Sequence, residues 1–521
     1  MEIQPNTDIR LLHNVPLDTS YDHTIYFASA SDQYTYFAGL TKYTLSAQTY
    51  QRVNKGKARV AKLADDIYDC NYMMFRNTSF GNKWFYAFIT SIEYVNNETS
   101  EISYELDPMQ TWWFDFTIDM CFVEREHSVS DELFSNLVDE NIDLGDYTTM
   151  IPSDPNEQHY EMGEQYAGML TSGSIDSHGD LQPSTGSTKC NVYTPLNFVG
   201  NVPVIDEQTL RGLIDEYIRL GYEDAIVCAY QYPSSFGVNS VTTNGHNVSM
   251  PDNIDGYIPN NKKLFSYPYN FLVVNNNCGE VAEYKWEQWE HGSTRGHFAI
   301  AGCAMGNPIA LLYPLDYRGQ LQDYASGLTY HNFPTIPIVG DAFKAWWAQN
   351  KNSTLAGIIA SGAGALGTAG LIGAGAITGG AAAVAGVGAV MAVGGAVKTA
   401  VSKKKDLESI PPQVHGQGNT DYLNAGMDRC EFTFLKTCVR YQFARIIDRY
   451  FDVYGYATHL TKIPNLNSRP HWNYVKTIGA TVTGSVPADD MKKICGIFDN
   501  GITFWKNGSE IGNYGLDNRP T

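Results

Sequence analysis

Residues 83–106 read KWFYAFITSIEYVNNETSEISYEL. Aromatic and β-branched residues fill 83–94, a second such run fills 100–106, and Asn96 and Asn97 lie in the link between them. Two runs of this kind joined by a short asparagine-bearing link predict a β-hairpin, because asparagine tolerates the left-handed backbone of a tight turn. Working outward, residues 21–39 alternate aromatic with polar residues and predict another strand. The first 130 residues therefore read as β. Aromatic residues make up 13% of the chain, with 34 Tyr, and such residues favour strands and interfaces over long helices.

At 521 residues the chain exceeds what one core supports, so two to four domains are expected. Hydrophobic residues are 43%, ordinary for a globular protein, and a mean hydropathy of -0.27 excludes a polytopic membrane protein. The formal charge of -20 argues against an electrostatic grip on nucleic acid, yet suits a wall past which nucleic acid slides. Nine cysteines are scattered without a CxxC pair, which fits free thiols made in a reducing compartment. Cys430 and Cys438 are a pair that could be bridged. The opening MEIQPNTDIR carries neither a basic region nor an apolar region of a secretory signal.

Further along, residues 129–190 are acidic and then rich in Gly, Ser and Asp, and read as a loop-rich excursion. Residues 204–230 read as a helix followed by a strand. Asp206 is the expected cap, Leu210, Leu213, Ile214, Tyr217 and Ile218 share a face, and Gly221 is the stop. Strands are expected at 265–274 and 297–312, and an amphipathic helix at 341–351. Helices are also expected over 440–454 and from Pro487 to about Asn500, with Gly501 as the cap. No tandem repeat is present.

One segment differs from everything around it. Between Asn352 and Val397 there is no charged residue, and the sequence TLAGIIASGAGALGTAGLIGAGAITGGAAAVAGVGAVMAVGGAV is nearly all Gly, Ala and aliphatic residues. The tetrapeptide TGGA at 378–381 divides it into halves of roughly 20 residues, each able to span about 30 Å as a helix. Residues 355–397 hold 13 Gly, which removes ~13 kcal/mol of helix preference relative to Ala. They also hold 13 large apolar residues: Leu355, Ile358, Ile359, Leu366, Leu371, Ile372, Ile377, Val384, Val387, Val390, Met391, Val393 and Val397. These supply only ~4–8 kcal/mol of insertion free energy. Small-residue faces such as Gly375-xxx-Gly379 and Gly357-xxx-Ser361 allow several copies to pack closely. The segment therefore reads as conditionally membrane-active, with Lys398, Lys403, Lys404 and Lys405 placed to meet anionic headgroups. A glycine-rich linker or a plug buried in an assembly is the other reading.

Motifs for chemistry fail on inspection. Gly362-x-Gly364-x-x-Gly367 matches the dinucleotide fingerprint by letter but has no strand before it and no acidic residue after it at the needed distance. Gly395-Ala-Val-Lys398-Thr399 lacks the glycine that a phosphate-binding loop requires. No HExxH occurs. Asp139, Glu140, Asp143 and Asp146 lack the spacing of a calcium loop and read as a solvated acidic face. His127, set among charges in VEREH, reads as a surface or interface residue. No catalytic, metal or cofactor site is expected.

Several blocks carry a resemblance. They are NYMMFRNTSFGNKWFYAFITSIEYVNNETSEISYELDPMQTWWFDFTIDMCFVEREH at 71–127, KLFSYPYNFLVVNN at 263–276, AWWAQNKNS at 345–353, RYFDVYGYATHLTKIPNLNSRPHWNYVKT at 449–477, and GITFW at 501–505. In this order they resemble the tail knob, or distal tail tube, proteins of short-tailed bacteriophages infecting Gram-positive bacteria. The resemblance implies a mainly β fold with some α (α+β), and a structural virion protein rather than an enzyme. It implies a homohexamer at the tail tip, with a β-rich tube domain built from residues 1–130 and 406–521. A knob would come from 131–290, strands and a helix from 291–353, and an apolar loop from 354–405. In that family the loop plugs the tube and then leaves it to open a path through the host cytoplasmic membrane during DNA ejection. The implied partners are the chain itself, collar, upper-tube and tip proteins, host membrane lipid, and phage DNA passing without sequence-specific binding. A wall-recognition tail protein, with the apolar segment as a passive plug, is the rival reading.

Overall fold

The computed structural model describes residues 6–48, 56–152, 154–162, 165–171, 173–175, 178–183, 202–204, 207–236, 242–277, 279–289, 295–303, 308–318, 327–330, 333, 335–337 and 431–520. The chain forms two compact units. One comprises Met1–Asp146, Gly256–Phe265 and Arg440–Thr521, and the other Tyr147–Asp255 and Ser266–Val439. Both consist mostly of strands with a few helices, so the fold is mainly β.

The first unit is organised around the predicted hairpin. Strands Trp84–Asn96 and Thr99–Leu106 pair antiparallel, with Asn96 opposite Thr99. The turn is tighter than the expected five residues. Asn96 Oδ1 accepts the Glu98 backbone N–H at 2.9 Å, replacing a backbone partner with a side chain. The hairpin sits inside a six-stranded antiparallel sheet ordered Thr41–Gln48, Thr7–His13, Cys70–Asn77, Trp84–Asn96, Thr99–Leu106, Lys57–Val60. Laid flat, the two edge strands would stand ~24 Å apart. The Lys62 ammonium, two residues past one edge strand, nevertheless lies 4.5 Å from the ring centroid of Tyr43 on the other. The sheet therefore curls around a core of Ile9, Leu11, Leu45, Val60, Met73, Ala87 and Ile102.

The opposite face of that sheet packs Leu12, Tyr72, Met74, Tyr86 and Phe88 against Phe37. Phe37 belongs to a helix, Ala30–Gly39, which corrects the strand expected over 21–39. Only His23–Ile25 is a strand there. Ser29 accepts the Asp32 N–H and starts the helix, and the buried pair Gln33 and Phe37 is spaced by four. The aromatic alternation at Tyr34 and Tyr36 imitated a strand on a helix that buries a different face.

A second sheet in this unit joins distant parts of the chain. Its order is His23–Ile25, Ile502–Trp505, Trp472–Ile478, Cys121–Glu126, Tyr456–Lys462. The Ala488–Asn500 helix lays Ile494, Ile497 and Phe498 on Val123, Val475, Ile502 and Phe504. Pro487 and Gly501 bound it as expected, with Gly501 at φ +93° donating to the carbonyls of Ile497 and Phe498. The helix expected over 440–454 is Tyr441–Tyr454.

In the second unit, strand Glu431–Val439 pairs with Asn270–Asn275 on one side and with Tyr147–Met150 and His159–Glu161 on the other. The helix–strand reading of 204–230 holds as helix Glu207–Leu220, Gly221 at φ +81° and strand Ile226–Pro233. Asp206 lies outside the described residues. The single strand expected over 297–312 is two antiparallel strands, His297–Cys303 and Ile309–Pro314. Pro308, without an N–H, stands just before the second. Residues 129–190, expected to be loop-rich, carry several short strands. Cys438 is a buried free thiol pushed up to about 11 by burial, whereas Cys430 is not among the described residues.

Candidate functional site

The apolar residues from Leu355 to Val397 and the lysines Lys398 and Lys403 to Lys405 fall outside the described residues, as does the helix expected at 341–351. Among the described residues no helix is long and apolar enough to cross a membrane, and no group of His, Cys, Asp or Glu is arranged to hold a metal ion. The segment is bracketed by strands of unequal standing. Thr335–Pro337 has three residues and pairs at the edge of a sheet, with Ile336 opposite Ala229. Glu431–Val439 has nine and lies inside its sheet. Phe432 and Phe434 are buried, and Lys436 donates to Glu157 at 2.6 Å.

A dense polar site of the first unit ties together separate stretches of its chain. Three segments meet there: the stretch ending at Asp146, the ten-residue visit Gly256–Phe265, and the stretch beginning at Arg440. Asp448, fully buried, organises them. Its Oδ2 accepts the Tyr257 hydroxyl at 2.6 Å and the Asn260 N–H at 2.8 Å. Its Oδ1 accepts the Asn261 N–H at 3.0 Å and the Asn261 amide at 2.9 Å. The same amide reaches Asp452 Oδ1 at 2.7 Å. Asp131 accepts from the Tyr456 hydroxyl at 2.6 Å and from the Lys262 N–H at 3.1 Å.

Beside this, Glu140 accepts from Lys263 at 2.5 Å, from Arg125, and from the Ala457 N–H at 2.8 Å. The Lys263 and Glu140 side chains are 2% and 0% exposed, so Glu140 departs from the solvated acidic face expected of this stretch, whereas Asp139, Asp143 and Asp146 are exposed as expected. The Glu140 carboxylate was drawn in because two cations and a backbone donor replace its hydration. His127, read as a surface or interface residue, is buried within the first unit. Its Nδ1 accepts the Tyr474 N–H at 2.8 Å, and its Nε2 donates to the Asp452 carbonyl at 3.1 Å.

Burial sets the charge states here. It drives the His127 imidazole down to about 3, with Arg469 and Arg125 adding repulsion. It pulls the Lys263 ammonium down against the counteracting Glu140, and raises Asp452, which also feels the charge of Asp448. Each oxygen of Asp448 and Glu140 is committed to a donor, so these groups hold the chain and offer no free base or nucleophile. Sequence reasoning missed them. One signal was available: Asp448 interrupts the stripe Ala444, Ile447, Phe451 on its helix. Nothing local marked Glu140.

The family model for the C-terminal domain of the Bacillus phage phi29 tail knob protein gp9 matches residues 237–519, more than half of the chain. The chain belongs to the tail knob family. Residues 5–117 match a second model, the N-terminus of caudoviral major tail proteins. The tail knob proteins gp9 of Bacillus phages B103 and phi29 are 26% and 25% identical to this chain, each match covering 98% of both sequences. The tail knob protein gp12 of bacteriophage C1 shares the fold at a TM-score of 0.58 and 14% identity, covering 99% of this chain and 100% of that one. This tail knob chain is thus a structural component of a phage tail, in a family that is not enzymatic.

Proposed function

We propose that copies of this chain form a hexameric DNA conduit at the tail tip. Their apolar segments, residues 354–401, plug the tube and are released to penetrate the host cytoplasmic membrane during genome ejection. The first unit supplies the tube wall and the second the knob. The uncharged run between Asn352 and Val397 carries this reading, because no other stretch of an otherwise acidic, polar chain has a composition suited to lipid. Its 13 large apolar residues would face acyl chains, and Lys398 and Lys403 to Lys405 the headgroups. Six marginal segments acting together overcome the weak insertion of one. Partners would be the other copies, adjoining tail proteins and membrane lipid, with DNA passing unread.

The test is leakage of dye from anionic liposomes by the full chain and by a form lacking residues 354–401, with the mass of each assembly measured in parallel. Leakage by the full chain alone, from a hexamer that both forms make, is the expected result. A deletion form that leaks equally, or virions carrying it that still eject DNA into cells, would leave the segment as a passive plug.

A further inference from the structure

One cluster on the first unit is used by none of the above. The sheet face that packs on Phe37 continues beyond that core as Asp8, Arg10, Arg76 and Trp84, with Tyr34 of the Ala30–Gly39 helix beside them. The Arg10 guanidinium carbon lies 5.3 Å from the ring centroids of both Tyr34 and Trp84. Arg76 stands 4.9 Å from Trp84 and donates Nε to Asp8 Oδ2 at 3.0 Å, as does its NH2 nitrogen. The two rings are 5.8 Å apart and inclined by 32°. All five side chains are part-exposed. Among the described residues Arg10 makes no ion pair, so its fork of donors is held in place by the rings and left unspent. In a chain with 36 basic and 56 acidic residues, two guanidiniums here face one carboxylate.

A guanidinium fixed by stacking loses little freedom when it grips a phosphate or carboxylate in bidentate fashion. The part-exposed rings supply apolar area for the C–H faces of a polyol or sugar. Among the described residues Asp8 engages Arg76 through Oδ2, and its Oδ1 can accept from a hydroxyl. A carboxylate beside the guanidiniums disfavours duplex DNA, whose charges come every ~1.7 Å, but suits a chain with spaced charges and many hydroxyls. The geometry points to a subsite for a polyol phosphate polymer, a hydroxyl-bearing chain with spaced phosphate groups, at Arg10, Arg76, Trp84 and Asp8.

Calorimetric titration of the full chain with poly(glycerol phosphate), with neutral dextran and with duplex DNA tests this. The polymer binds, dextran does not, and Arg10→Gln weakens binding about tenfold at an unchanged melting temperature. Arg10→Lys, which keeps the charge but not the planar fork, lies between, and serves alone if the Gln variant fails to fold. The proposal is overturned if the polymer does not bind, or if the variant that folds binds as wild type does. Duplex DNA binding as tightly as the polymer, and losing affinity with Arg10, would make this a nucleic-acid site instead.

Discussion

Two helices of the first unit were both legible in the sequence and are held in opposite ways. Ala488–Asn500 buries Ile494, Ile497 and Phe498 on a sheet core and is retained by the hydrophobic effect. Tyr441–Tyr454 buries Ala444, Ile447 and Phe451 as well, but puts Asp448 in the middle of that stripe. A carboxylate there would be costly alone. It is tolerated because Gly256–Phe265 brings Tyr257, Asn260 and Asn261 to it as donors. The first helix needs a greasy neighbour of roughly the right shape. The second needs one particular segment in one particular register.

That contrast can be broken most directly at its two centres. Asp448→Ala strands three donors, the Tyr257 hydroxyl and the N–H groups of Asn260 and Asn261, and should remove ~4–5 kcal/mol, more than a single unsatisfied group. Phe498→Ala should remove ~3–5 kcal/mol through its cavity. Calorimetric melting of both variants decides the point, and Asp448→Ala melting like wild type would show that the polar network holds nothing.

The Glu140 cluster sharpens the comparison, since losing its carboxylate and losing one of its cations are not equivalent. Glu140→Gln leaves Arg125 and Lys263 buried against a neutral group and should cost about 3–4 kcal/mol. Lys263→Met leaves Glu140 paired with Arg125 and should cost less, about 1–3 kcal/mol. Denaturant midpoints give the ranking, and a reversed order would mean that Lys263, not Glu140, is the organising charge.

A further effect is in pH. His127 is neutral in the fold down to about 3 but takes a proton near 6.5 when unfolded. Its contribution is therefore complete above ~6.5 and is lost as the pH falls toward 3. Asp107, raised by burial to about 6, acts in the opposite sense, since the fold holds its proton at pH values where the unfolded chain has released it. The difference between wild type and His127→Gln isolates the histidine. The melting temperature of wild type should fall more between pH 7 and pH 4 than that of the variant, and parallel curves would refute a neutral buried imidazole.

Several elements were readable from residues close together in the chain. The hairpin at 83–106, the Gly221 and Gly501 stops and the two long C-terminal helices follow from periodicity and cap chemistry within a dozen residues. The stretch 21–39 is equally local, yet its aromatic alternation at Tyr34 and Tyr36 predicts a strand where the Ser29 cap on Asp32 starts a helix. The polar lock was not readable in that way. Glu140 meets Lys263 across 123 residues, and Asp448 meets Asn261 across 187. From the sequence, the first was an acid in an acidic run and the second a blemish on an apolar stripe.

By itself, then, the sequence determined many of the strands and helices, because backbone propensity, side-chain period and caps act over a few residues. It also set apart the uncharged run between Asn352 and Val397, since the absence of charge is a property of composition. The tertiary structure alone decided which charges leave water. Burying a carboxylate is favourable only where donors from remote segments arrive together, and that meeting is a property of the folded chain.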